Sequence, residues 1–361
     1  MKIALVGPAY PLRGGIAAFD HAYAQALHEA GHEVVIFSYS LQYPNWLFPG
    51  KSQYDESPKH FDFPIFSCIN SIWPYNWWRV ARRLRDFNPD SAVLRYWTPF
   101  LAACLGSIVR WSGLDCWQAI VDNALPHESQ PLQVSLIKYA LARMQRITVL
   151  SEQVERQLHE IDAGWNIVRT FHPLYTHFGT SVGREAARTQ LGLPLEGKIL
   201  LFFGLIRPYK GLDLLIEAMA LLPNPPLLLI AGEPYMSVSP YQELAKRLGV
   251  ADRIIWHLRF IADQQVPLYF CAADCLVQPY RSASQSGVTP VAYHFDLPTL
   301  VTAVGGLAEA VEEGKTGWIV QPQPHALAQG IQRAVSAPSL TESIRYYKKK
   351  LSWAKFVEQT L

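Results

Sequence analysis

An excess of either charge is lacking in this chain: over 361 residues, 32 Lys and Arg against 30 Asp and Glu leave a formal net charge of only +2. A balance that even gives no reason to expect nucleic acid as a partner. Cysteine is sparse as well. Cys68, Cys104, Cys116, Cys271 and Cys275 show no paired spacing, and an odd, scattered set offers no disulfide framework and points to a reducing compartment. Cys271 and Cys275 stand one helical turn apart. Without a second pair they read as small apolar residues rather than metal ligands. No apolar run reaches about 18 residues, so no span of a membrane is expected. The start, MKIALVGPAYP, meets Gly-Pro too soon for a signal peptide and reads as a first strand. A cytoplasmic protein is the expectation. A GxGxxG loop is missing too, so a dinucleotide cofactor has no support.

The chain does have bulk: half its residues are hydrophobic and 17% are charged, the balance of a folded globular protein. Its length exceeds one small core, so two domains are expected. The stretch that organises it runs from Lys198 to Ala218, KILLFFGLIRPYKGLDLLIEA. Lys198 to Gly204 is a nearly unbroken apolar run, the pattern of a strand buried on both faces. From Leu212 the spacing changes, and Leu212, Leu215, Ile216 and Met219 fall on one side of a helix. Between them lies a basic loop with Arg207, Pro208, Lys210 and Gly211. Strand, basic loop and helix is how an α/β sheet presents an anion site, and Arg207 and Lys210 suit a pyrophosphate. Both could equally be ordinary surface charges.

The same alternation opens the chain. Lys2 to Val6 is a strand, residues 7–15 form a Pro- and Gly-rich loop, and Ile16 to Ala30 has helical spacing. Gly14-Gly15 ahead of a helix would let backbone N–H groups approach a ligand, although a plain turn reads as well. A polar loop, residues 122–128, follows the strand Ala119 to Val121 and carries His127. Ser151 is a good N-cap for a helix from Glu152 to Ile161. Near residues 175–193 the pattern breaks into Gly, Thr, Ser and charged residues, where the domain linker is placed. Beyond it, Leu227 to Ile230 is a strand entering Ala231-Gly232-Glu233-Pro234. Cys275 to Gln278 is another strand, followed by PYRSASQSG. There Ser286 is a plausible cap, and the N–H groups near Gly287 and Val288 make a second anion-accepting helix start. Leu307 to Glu312 reads as helical, and Ser339 to Leu361 as one closing helix.

Residues 41–87 are unusual, combining many aromatic rings with Arg79, Arg82, Arg83 and Arg85. Trp77 to Phe87 would be a basic helix carrying Trp, the composition of a membrane-interface segment. The rings could instead pack into the domain or line a cleft for an acceptor.

The segments FFGLIRPYKGLDLLIEA, DCLVQPYRSASQSG, LPTLVTAVGGLAEAVEEGKTGWIV and SWAKFVE together resemble the glycosyltransferases of family 4. That resemblance covers nearly the whole chain. It implies the α/β GT-B architecture of two facing Rossmann-like domains with an interdomain cleft. Residues 1–177 would form the acceptor domain, 178–344 the nucleotide-sugar donor domain, and 345–361 would cross back onto the first. It implies sugar transfer from a nucleotide-sugar donor, with retention and without a catalytic metal or other cofactor. The acceptor would be a glycan or lipid-linked molecule of the cell envelope, met in the cytoplasm or at the inner face of the membrane. Arg207 and Lys210 match the basic pair on the donor diphosphate. Gly14 and Gly15 match the N-domain glycine loop, Gly204 the glycine ending the strand, and His127 the histidine beside the reacting sugar. Ser286, Gly287 and Val288 match the helix start near the donor.

Two departures accompany the resemblance. Leu205 stands where the family's Arg usually follows the strand glycine. The two Glu residues many members carry are absent, their places taken by Ala283 and Val291, or by Ser284 and Ala292 in the alternative alignment. No acidic residue lies between Asp274 and Asp296. Glu233, Glu309 or a backbone carbonyl would then have to accept from the ribose. The rival readings are a nucleotide-sugar-binding protein without turnover and another GT-B enzyme, such as a nucleotide-sugar epimerase.

Overall fold

The computed structural model describes every residue except 45–52, 55–59 and 125–130. The chain divides into two compact units, Met1–Phe171 with Trp353–Leu361, and His172–Ser352. The joint thus lies at 171/172 and the return to the first unit at 353, against 177/178 and 345 read from the sequence.

The first unit contains β1 (Lys2–Val6), α1 (Gly15–Glu29), β2 (Glu33–Leu41), β3 (Ile65–Asn70), α2 (Pro74–Phe87), β4 (Ser91–Tyr96), α3 (Ala102–Ser112), β5 (Trp117–Val121), α4 (Pro131–Leu141), β6 (Arg146–Val149), α5 (Glu152–Ile161) and β7 (Ile167–Arg169). The strands form one parallel sheet in the order β3-β2-β1-β4-β5-β6-β7. Ile3 of β1 lies opposite Val34 on one side and Ser91 on the other. Continuous apolar strands such as IALV and VVIF follow from burial on both faces. The order reverses direction between β1 and β4, and at such a switch point the loops beyond the strand ends part to leave a crevice.

Beneath that switch point lies a buried charge cluster. Arg95 donates two hydrogen bonds to Asp122, at 2.8 and 2.6 Å, and its guanidinium sits 3.9 Å from the Phe19 ring centre. Asp20 of α1 is 3.8 Å from Arg95. Burial pushes the Asp20 carboxyl up to about 8 against the pull of Arg95, with Asp122 adding to the rise. The rise favours the protonated form of Asp20, which reduces the negative charge set against Arg95.

The second unit contains α6 (Arg184–Leu191), β8 (Ile199–Phe203), α7 (Leu212–Ala220), β9 (Leu227–Ala231), α8 (Ser239–Arg247), β10 (Ile254–His257), α9 (Val266–Ala272), β11 (Cys275–Gln278), α10 (Val288–His294), β12 (Thr299–Thr302), β13 (Gly317–Val320), α11 (Pro324–Ser336) and α12 (Thr341–Lys348). Its sheet is parallel, in the order β10-β9-β8-β11-β12-β13. Leu212, Leu215, Ile216 and Met219 are all fully buried on α7, as their spacing requires. Here the switch point lies between β8 and β11, so the two loops leaving those strands, residues 204–211 and 279–287, border it. Residues 305–310 form a 3-10 turn rather than the expected helix.

The closing segment is two helices, not one. α12 stays with the second unit: Ile344 is buried, the Tyr347 ring packs 5.6 Å from that of Tyr293, and Arg345 and Lys348 both pair with Asp296. α13 (Trp353–Thr360) packs instead on α1. Trp353 and Phe356 lie 5.0 and 5.6 Å from Phe19, and Thr360 bonds the Tyr23 hydroxyl at 2.9 Å. The basic turn and the aromatic turn serve different cores, so the helix breaks between them.

Candidate functional site

The basic loop after β8 is held by backbone before any side chain is considered. Gly204 N–H donates to Ala231 and Ile206 N–H to Glu233, at 2.9 and 3.0 Å, so residues 204–206 run beside residues 231–233. Gly232 permits this, since a Cβ there would lie 1.8 Å from the Gly204 carbonyl oxygen. Residues Pro208–Lys210 form a 3-10 turn ending in Gly211, whose left-handed backbone starts α7.

This geometry turns Lys210 inward. Its side chain is buried, with Nζ so close that a Cβ on Gly204 would lie 3.1 Å away and 3.9 Å from a Val288 methyl. The end of β8, the Lys210 ammonium and the start of α10 therefore meet at one point of the switch. Nζ also lies 5.3 Å from the ring centre of Tyr280, which is buried in the second bordering loop. Gln278 Nε2 donates to Ser286 Oγ at 2.6 Å and lies 3.4 Å from the Tyr280 hydroxyl, while Thr289 donates to Gln278 Oε1 at 2.7 Å. Ser286 Oγ in turn accepts from the Val288 N–H at 3.3 Å. Ser286 thus braces the start of α10 from one residue before Gly287, which is the helix's N-cap.

Arg207 is half-buried, its guanidinium 4.7 Å from the Tyr235 ring centre, and its Nε is buried without a hydrogen-bond partner. Glu233 is buried beside this loop, and Glu309 is exposed on the 305–310 turn. Gly287 lies against residues not singled out from the sequence: a Cβ there would stand 3.4 Å from Tyr175 and 3.6 Å from His172 Nε2. The second unit therefore brings Gly204, Lys210, Ser286 and Val288 together. Gly14 and Gly15 belong to the first unit, at the start of α1, with open space where a side chain would be. His127 lies outside the described residues.

Three of the four places for the absent Glu pair are packed, and Ser284 is half-buried. Ala283 joins Tyr280, Val301, Leu307 and Val311 in a small apolar cluster, and Val291 and Ala292 are buried on α10. Neutral side chains suit the apolar surroundings of Ala283, Val291 and Ala292. Tyr280 gives no signal in the sequence, because a Tyr between Pro and Arg carries no periodicity. Only the register of two loops distant in sequence sets its ring beside Lys210.

Two doubly wound parallel sheets, each with helices wound around it, are the Rossmann-like halves of the GT-B fold. Residues 183–351 match the family described as glycosyl transferases group 1, and residues 14–173 the glycosyl transferase 4-like domain. The chain belongs to these group 1 glycosyltransferases. Among curated relatives, it is 39% identical over 172 residues to the D-inositol 3-phosphate glycosyltransferase of Streptomyces griseus, covering 44% of this chain and 36% of that protein. The alignments to relatives of that name span 36% to 58% of their own length. Sucrose-phosphate synthase from Thermosynechococcus elongatus superposes with a TM-score of 0.80 at 20% identity, over 99% of this chain and 96% of that one. Anabaena HepE, solved in complex with UDP, gives a TM-score of 0.74 at 17% identity, over 99% and 98%.

Proposed function

We propose that this chain transfers a sugar from a nucleotide-sugar donor to a glycan or lipid-linked acceptor of the cell envelope, with retention and without a catalytic metal. The observation carrying this reading is the buried Lys210 ammonium at the switch point of the second sheet, between the end of β8 and the start of α10. A cation fixed there before reaction would stabilise the charge growing on a departing diphosphate, in a site that needs no rearrangement. Arg207, on the same loop, supplies a second positive charge. Together they would neutralise the leaving group in the way a metal ion does elsewhere. UDP in Anabaena HepE supports a nucleotide donor. Glu233 and Glu309 are proposed as the carboxylates that accept from a ribose, and Gly14, Gly15 and His127 are proposed as donor-binding or catalytic residues from their match to the family's motifs. The test is turnover of a panel of nucleotide-sugars with envelope lipid and glycan acceptors. The product should keep the donor's anomeric configuration by NMR coupling. An inverted product would refute retention, and tight donor binding without turnover would favour a binding protein.

A second reading concerns the first unit's surface. Ile72, Trp73, Tyr75 and Trp78 are 54%, 56%, 58% and 45% exposed around the start of α2, and Arg79, Arg82, Arg83 and Arg85 are exposed further along it. Trp77 faces the other way: it is half-buried and donates to the Asn70 carbonyl at 2.7 Å. Among the described residues no helix is long and apolar enough to cross a membrane. We therefore propose peripheral association through exposed aromatic rings and arginines. Replacing Trp73, Tyr75 and Trp78 by Ser should abolish co-sedimentation with anionic vesicles, whereas Trp77→Phe should not. Equal binding by the triple variant would remove this face from consideration.

A further inference from the structure

Tyr280 is a buried titratable group in the donor site that the transfer reading does not use. We propose that Tyr280 is a positioning residue for Lys210: its phenol fixes the ammonium against the start of α10, and losing the phenol proton withdraws that charge from an incoming diphosphate. This rests on the donor-site reading above and adds a residue and a pH response to it.

The geometry comes first. Tyr280 is 3% exposed and reached by polar groups from two loops. Lys210 approaches from the 208–210 turn, its ammonium 5.3 Å from the ring centre. Gln278 and Ser286 approach from the Tyr280 side, and they also brace the start of α10. Apolar and aromatic neighbours pack around the ring. The Tyr209 ring stands edge-on at 6.0 Å, and Val301 and Leu307 pack against it. Thr302 donates to its carbonyl at 2.6 Å. Arg281, the following residue, is paired with Asp213. The ring therefore cannot turn away, and Lys210 is the charge that senses its ionisation.

Electrostatics agrees with the packing. Burial alone would push the phenol up, but the Lys210 ammonium, with hydrogen bonds from Gln278 and Ser286, outweighs it and holds Tyr280 below its ordinary value of 10.0. As a neutral phenol, Tyr280 leaves the ammonium's charge available to an anion. As a phenolate it forms an ion pair with Lys210 and repels phosphate. By linkage, a bound diphosphate must raise the phenol's titration midpoint.

The test compares wild type with Tyr280→Phe, which keeps the ring and removes the proton. Affinities for UDP, GDP and ADP are measured by calorimetry from about pH 7 to about pH 9.5, with Lys210→Ala as the control. The nucleotide's own titration cancels in the ratio of the two affinities. Wild type should lose about fivefold relative to Tyr280→Phe across that range. The phenolate absorbance present in wild type and absent from Tyr280→Phe should titrate below pH 10, and later once nucleotide is bound. A ratio that stays flat while Lys210→Ala still weakens binding would overturn the role of Tyr280 and leave the donor site standing. No binding of any nucleotide by wild type would overturn both.

Discussion

Lys210→Ala should lower the rate of sugar transfer by about a hundredfold to a thousandfold, with the thermal midpoint moving by only a few degrees. The asymmetry follows from where the side chain sits. Lys210 is buried, yet its ammonium meets the mouth of the sheet rather than the main apolar core, which is built from residues such as Leu200, Phe202, Leu215 and Leu300. Its charge matters most when charge develops on the leaving diphosphate, so the loss should fall on kcat more than on KM. A variant with ordinary turnover would place the donor phosphates elsewhere.

Gly211→Ala should destabilise the second unit by about 3 kcal/mol and lower the midpoint by about 10 °C. Two effects combine. Gly211 has φ +63°, where an L side chain is strained, and a Cβ there would lie 2.0 Å from the Pro279 carbonyl oxygen. Pro279 opens the loop that carries Tyr280 and Ser286, so the clash would separate the two loops bordering the switch point. Gly249→Ala isolates the first effect: its φ is +73°, and no atom lies within 4 Å of where its Cβ would be. That variant should lose about 1 kcal/mol. Equal losses in the two variants would show that the contact with Pro279 has no energetic consequence.

The parts of this fold legible in sequence are those a local pattern specifies. The apolar runs Lys2–Val6 and Ile199–Phe203 are strands, and Ser151 caps Glu152–Ile161, accepting from the Val154 N–H. The basic loop could be placed because a strand must end at Gly204 and a helix begin at Leu212. What stayed hidden depends on partners distant in the chain. Nothing near Trp77 announces that it turns onto Asn70 while Trp78, one residue on, is exposed. The break between α12 and α13 is set by Tyr293 and Asp296 on one side and Phe19 and Tyr23 on the other. Tyr280 meets Lys210 only because β8 and β11 are neighbours in the sheet.

Thermal stabilisation of the purified protein by nucleoside diphosphates bears most directly on a donor site built on Lys210. A ligand that binds only the native state raises the midpoint by mass action. One of UDP, GDP, dTDP or ADP should raise it clearly, the matching nucleoside without phosphates should not, and Arg207→Ala with Lys210→Ala should abolish the shift. An undiminished shift in that double variant, or no shift with any of the four in wild type, would contradict the assignment.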